Sequence, residues 1–177
     1  MRYQLTTSTL GRTLAVLLAI CVVCILAAPL AFAAANVSQN KDAVAVIIGN
    51  KDYAGSVPDV DFAHNDAEAM KRFVIEVLGF REGNVILVRN ATKGRLETLF
   101  RTASNPKGQL FDWVRADRSD VVVFYSGHGA PGLDDRRGYL VPVDADPNRM
   151  ELGGYPIDQL YNNLAQLSSR STTVFLH

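Results

Sequence analysis

Four short runs rich in β-branched residues, AVAVII at 43–48, NVILV at 84–88, VVVFY at 121–125 and TTVFL at 172–176, are spaced along the chain with helical apolar patterns between them. Runs this short and this continuously apolar are what strands buried on both faces look like. Strands that alternate with helices form parallel sheets with right-handed crossovers. The fold class read from the sequence is therefore α/β, a parallel sheet with helices on both faces. The third run leads into SGHG at 126–129, so His128 stands where a buried strand opens to solvent. Sheets of this kind place their sites at such strand ends.

The connecting segments carry their own signals. Asp61 or Asn65 is suited to cap the first helix, with Asn65 and Glu68 spaced as a capping box. Phe62, Ala69, Met70, Phe73, Val74 and Val77 then keep helical spacing until Gly79. Thr92 is placed to cap a second helix through Leu96, Leu99 and Phe100, and the break at 105–108 precedes an apolar patch of Leu110, Phe111, Trp113 and Val114 that finishes the crossover. Residues 138–143 alternate weakly and suggest a small extra hairpin. Pro156 suits the first turn of a third helix, with Ile157, Leu160, Tyr161, Leu164 and Leu167 as its apolar stripe.

The first 35 residues are set apart from this pattern. Arg2 and Arg12 flank a polar start, residues 14–28 are uninterruptedly apolar, and Pro29 is followed by small residues. This is the layout of a secretory signal over 1–35, with Ala31-x-Ala33 or Ala33-x-Ala35 as the processing site. The alternative is an uncleaved membrane anchor, because 14–35 has about the ~20 residues a spanning helix requires. Either way the globular part, 42–177, is expected outside the inner membrane, periplasmic or extracellular, or tethered to that membrane by the uncleaved segment. Both cysteines, Cys21 and Cys24, lie inside the leader, so the globular part has no disulfide and no thiol nucleophile of its own. Its length suits one domain. With 18 basic residues spread among 18 acidic ones, the chain lacks the basic patch that nucleic-acid binding requires.

AVIIGN at 45–50, DVDFAHNDAEAM at 59–70, LGF at 78–80, FYSGHG at 124–129, GYLVPVDAD at 138–146 and TVFL at 173–176 follow one another in an order and spacing that resembles the caspase-like cysteine peptidases, closest to the bacterial metacaspase and orthocaspase type. The resemblance covers 42–177 and implies the N-terminal, large-subunit part of a caspase-like catalytic domain. It implies a protein or peptide substrate. It assigns His128 the role of general base and acid and gives Gly129 the backbone N–H that meets the oxyanion of an acyl intermediate. Asp66 and Ser126 carry over as the pocket for an Arg or Lys side chain. The family's third pocket position, an acid two residues before its cysteine, falls on His177, and the cysteine position lies past it.

Simpler explanations stand beside each assignment. An acid such as Asp66 in the first turn of a helix is explained by the helix dipole, and Ser126 by a turn. His64 and His128 lack the His-x-x-x-His or Glu-x-x-His spacing of a zinc site, and no metal is assigned. The resemblance admits calcium at the acidic loop of Asp134, Asp135, Asp144 and Asp146, but without the spacing of an EF-hand the loop reads as solvated, with no cofactor. Ser126 is not a hydrolase nucleophile, because no G-x-S-x-G elbow surrounds it. Two functional readings follow. One is a cysteine endopeptidase, cutting after Arg or Lys, of which these residues are a truncated or frame-disrupted version and inactive as written. The other is a non-catalytic caspase-like module that binds a partner through a strand edge or the pocket. On either reading residues 172–176 are expected to be an uncovered edge prone to aggregation.

Overall fold

The computed structural model describes residues 39–105 and 107–177. The leader read over 1–35, with its signal-or-anchor alternative and both cysteines, lies outside the described residues. Among those described, no helix is long and apolar enough to cross a membrane.

The elements in chain order are β1 (Val44–Gly49), α1 (Ala63–Glu76), β2 (Val85–Arg89), α2 (Lys93–Phe100), α3 (Gln109–Trp113), β3 (Asp120–Ser126), β4 (Gly129–Pro131), β5 (Gly138–Leu140), α4 (Met150–Gly153), β6 (Tyr155–Pro156), α5 (Ile157–Leu164) and β7 (Ser171–Leu176). Four strands form one parallel sheet in the order β2-β1-β3-β7, and three short ones form an antiparallel sheet in the order β4-β5-β6. The α/β expectation, with helices on both faces, is met.

The faces follow from the period-two alternation of a strand. Ala45 and Ile47 of β1, with Val122 and Phe124 of β3, pack against Ala67 and Val74 of α1. Val44, Val46 and Ile48, with Val121, Val123 and Tyr125, pack against Leu96 and Leu99 of α2, Leu110 of α3, and Leu160 and Leu164 of α5. The chain runs outward from β1 to β2 and then returns past β1 to β3. A crossover of fixed hand must put the outward helix on one face and the returning helices on the other, as observed.

Several local expectations are corrected. Neither Asp61 nor Asn65 caps α1, whose N-cap is Phe62 with no side-chain cap bond. A tertiary contact sets this helix start, since a Cβ on Gly49 would lie 2.4 Å from the Ala63 carbonyl oxygen. That close approach explains why small Ala63 and Ala67 face the sheet while Phe62, Phe73 and Val77 remain exposed. Gly79, at φ 73, ends the turn after α1, and Phe80 N–H reaches back to the Val74 carbonyl. Thr92 caps α2 as expected, accepting from the Arg95 N–H at 3.2 Å. Residues 138–143 do not form a hairpin by themselves, because Gly138–Leu140 is the middle strand between β4 and β6. Pro156 is the N-cap of α5 rather than part of its first turn.

β7 pairs with β3 through Asp120↔Ser171 to Tyr125↔Leu176, and among the described residues no strand pairs with its other side. Phe175 and Leu176 are accordingly 43% and 41% exposed. At the opposite end of the strand, Asp120 anchors it. Its carboxylate accepts from Arg170 Nε at 2.9 Å, Ser171 Oγ at 2.7 Å and Asn40 Nδ2 at 2.6 Å, and Arg170 Nη2 also bonds it. These bonds, with that of Arg170 first, hold the Asp120 carboxyl well below the usual carboxylate range.

A carboxyl whose folded-state pKa is depressed contributes stability above its unfolded value of about 4 and loses it as pH falls through the lower folded value. Asp120→Asn should therefore destabilise the protein by about 1–2 kcal/mol at pH 7. In urea denaturation the gap between the two proteins should narrow steadily below about pH 4.

Candidate functional site

β1 and β3 end together, with Gly49 opposite Ser126, and the connections from this point go to opposite faces of the sheet. This is the switch point at which an open α/β sheet leaves a crevice beyond its carboxyl ends. The first residue past β1, Asn50, is fully buried and ties three segments together. Its Oδ1 accepts from the Ala91 N–H at 2.7 Å, and its Nδ2 donates to the carbonyls of Ala91 and Val141 at 3.3 and 3.2 Å. The loop over residues 51–62 then arches across the strand ends. Asn90, at φ 55, accepts there from the Lys51 and Asp52 N–H groups at 3.0 and 3.1 Å.

His128 sits half-buried beneath this loop. Its Nε2 lies 2.8 Å from the Pro58 carbonyl oxygen. A carbonyl only accepts, so Nε2 carries the proton and a neutral ring keeps its lone pair at Nδ1. The His128 N–H donates to Tyr53 Oη at 2.9 Å, and the two rings lie 4.9 Å apart at 49°. Tyr125 Oη lies 3.0 Å from the His128 carbonyl and 2.9 Å from that of Val141, and donates its one proton between them. Burial first, then the neighbouring Tyr53 phenol, push the Tyr125 hydroxyl far above its ordinary pKa, so it remains a neutral donor.

Gly129 opens β4. The Val141 N–H bonds the His128 carbonyl at 3.0 Å, which makes Gly129 and Leu140 a non-hydrogen-bonded pair of the ladder. The Gly129 N–H therefore points away from β5. Beside it, Val57, Pro58, His128, Gly129, Ala130, Val141, Pro147 and Met150 line an apolar cleft of about 160 Å3.

The expected pocket positions converge as well. Ser126 is buried, and its hydroxyl donates to Asp66 Oδ2 at 3.0 Å. His177 Nε2 lies 3.8 Å from the same oxygen. His177 is held by main-chain bonds from its N–H to the Tyr125 carbonyl, at 2.9 Å, and from the Gly127 N–H to its own carbonyl, at 3.3 Å. All four residues singled out from the sequence thus lie at the C-terminal end of β3 or on α1 facing it. The sequence reading missed Tyr53, Pro58, Tyr125 and Asn50. The partners of Tyr53, Pro58 and Asn50 lie far away in the chain, and although Tyr125 reaches the carbonyl of His128 three residues on, no local spacing signals such contacts.

The acidic loop does not assemble a cation site. Asp135 accepts from the Tyr139 hydroxyl and the Arg137 N–H, Asp144 from the Lys93 N–H, and Asp146 from the Asn148 N–H. Among the described residues no three His, Cys, Asp or Glu side chains cluster as metal ligands, so the loop does not fit calcium. His64 Nε2 lies against Asn90 Oδ1 at 2.9 Å, within the loop scaffold.

Residues 42–176 match the Caspase domain family, Peptidase C14. The chain belongs to that family. Metacaspase-4 of Arabidopsis thaliana is 34% identical over 110 residues, which cover 56% of this chain and 25% of the relative. The chain therefore spans about a quarter of that relative's length. The solved structure of pro-sf-caspase-1 aligns over 80% of this chain and 47% of its own, at 16% identity and a TM-score of 0.47.

Removing the Asn50 side chain should release the three segments that it joins. Asn50→Ala leaves the Ala91 N–H and the carbonyls of Ala91 and Val141 without that partner, and is expected to cost about 2–4 kcal/mol in urea denaturation.

Proposed function

We propose that this caspase domain supplies the general base, the oxyanion donor and the basic-residue pocket of a cysteine endopeptidase that cuts after Arg or Lys. The observation that carries the reading is the fixed tautomer of His128. With Nε2–H held by Pro58 O, the Nδ1 lone pair is free to take a thiol proton. The thiolate attacks the scissile carbonyl, and the resulting oxyanion accepts from the Gly129 N–H. As the intermediate collapses, the C–N bond breaks and the imidazolium returns its proton to the leaving amine. A water molecule, deprotonated in turn by His128, then hydrolyses the thioester. Asp66, braced by the Ser126 hydroxyl, supplies the charge that receives a guanidinium or ammonium group.

The thiol is not among residues 25–177, since the two cysteines are Cys21 and Cys24. By resemblance it belongs two positions past His177, in continuation of β7. A second reading is a caspase-like module that binds protein at the Asp66 and Ser126 pocket without cutting it. The leader supports placing either form outside the inner membrane, as an exported protein or one tethered by that segment.

The deciding measurement is the intact mass of the natively expressed product, combined with turnover of peptides carrying Arg, Lys or Asp before the scissile bond. A longer product bearing the cysteine should cleave the Arg and Lys peptides and spare the Asp peptide, and iodoacetamide should stop it. His128→Ala in that product should lower kcat by about 10²–10⁴-fold. A product with the mass of the 177-residue chain or its processed form, and without turnover, would leave the binding module as the reading.

A further inference from the structure

The grip on His128 extends beyond the groups that the proposed chemistry uses. Its ring, its N–H and its carbonyl are each held by a different partner, and two of those partners are phenols. We infer that Tyr53 is a positioning residue for the His128 imidazole, acting with Tyr125 as a clamp on the two peptide groups that flank the base. The inference rests on the reading of His128 as the base and concerns how that base is held.

Three features of the structure carry it. The first is chemical. The His128 N–H has Tyr53 Oη as its acceptor at 2.9 Å, and the His128 carbonyl has Tyr125 Oη as a donor at 3.0 Å. A tyrosine that only filled space would present its ring to a neighbour and its hydroxyl to water. Here the hydroxyl is the partner of a main-chain group in a half-buried turn.

The second is steric. A Cβ on Gly127 would lie 2.7 Å from Tyr53 Oη and 2.9 Å from Tyr125 Oη. Both hydroxyls are therefore drawn up under the residue before the histidine, and the glycine there is what admits them.

The third is topological. Tyr53 and Pro58 belong to one loop that closes on itself, with the Tyr53 N–H on Asp59 Oδ1 at 3.1 Å and the Val60 N–H on the Lys51 carbonyl at 3.0 Å. The Ala54 N–H fastens that loop to the Val143 carbonyl at 2.8 Å. The same closed loop thus holds the histidine main chain through Tyr53 Oη, the ring face through the Tyr53 ring, and Nε2 through Pro58 O. Losing the hydroxyl leaves the His128 N–H without its acceptor. The turn loosens relative to the loop, the imidazole can leave Pro58 O, and the preference for the Nε2–H tautomer falls.

The test uses the full chain labelled with 15N and reads the ring nitrogens and main-chain amide of His128. In the unsubstituted protein the ring should show the Nε2–H tautomer, and the amide should exchange at least about tenfold slower than an unprotected one. Tyr53→Phe keeps the ring and removes the acceptor. It should abolish that protection and populate the Nδ1–H form, while the melting temperature shifts by only a few degrees. A folded Tyr53→Phe protein with unchanged His128 tautomer and exchange would overturn the inference, as would an unprotected His128 amide in the unsubstituted chain. Should Tyr53→Phe not fold, Asp59→Ala decides, because it opens the loop from an exposed position. A partial shift of the His128 ring in the same direction supports the clamp, and an unchanged ring refutes it. None of these readouts is turnover, so they decide the clamp separately from whether a cysteine-bearing product hydrolyses peptides.

Discussion

The site depends on one constraint, the parallel pairing of β1 with β3 that brings both strands to an end at the same level. With Gly49 opposite Ser126, the chain leaves the sheet at two adjacent points and in different directions. The gap between those exits needs a polar filler, because main-chain groups from two other segments, at Ala91 and Val141, point into it away from water. Asn50 meets this requirement with one acceptor and two donors on a single short side chain. A hydrophobic residue there would leave those groups unpaired, and a carboxylate would bring a charge without a counter-ion into a fully buried position.

Strand and helix identity were legible in the sequence because they rest on local periodicity. All four long strands fall within a residue or two of their expected bounds, and Thr92 caps α2 because its signal is self-contained. The first turn of α1 was not legible. Asp61 and Asn65 both satisfy the local rule for a cap, but the approach of Ala63 to Gly49 decides where the helix begins. The same contact shifts the helix face, since large Phe62 and Phe73 look like core residues but are exposed, small Ala63 and Ala67 join the core, and Val74 and Met70 pack there as expected. At the site, His128, Gly129, Asp66 and Ser126 could be singled out because they lie in short ordered motifs. Tyr53 and Pro58 could not be linked to His128, because what makes them matter is a fold that brings residues 53 and 58 to residue 128.

The two ends of the sheet are built from different chemistry. At the amino end, charges fasten the strands. Asp42 takes Arg115 and Arg118, and Asp120 takes Arg170. Such pairs at a partly exposed rim weaken as acid protonates the carboxylates. At the carboxyl end the groups that hold His128 are neutral, a carbonyl and two phenols, one of which burial keeps protonated. Only strong acid, which protonates carboxylates held below their usual range, can therefore loosen the amino end in this way, while the hydroxyls and carbonyls around His128 keep their roles as donors and acceptors.

This arrangement also gives physical content to SGHG, a motif too short to be specific by pattern alone. Each position answers to a different requirement. The first must be small and carry a hydroxyl, because it is buried and braces Asp66. The second must have no side chain, because two phenol oxygens occupy the space where a Cβ would lie. The third places an imidazole against a carbonyl that only accepts, which fixes the position of its proton. The fourth sits in the non-hydrogen-bonded register of a ladder, so its N–H faces away from the neighbouring strand. Four such demands within four consecutive residues can be met together only where a buried strand ends under a closed loop, and that shared requirement, rather than the letters of the motif, ties the motif to this fold.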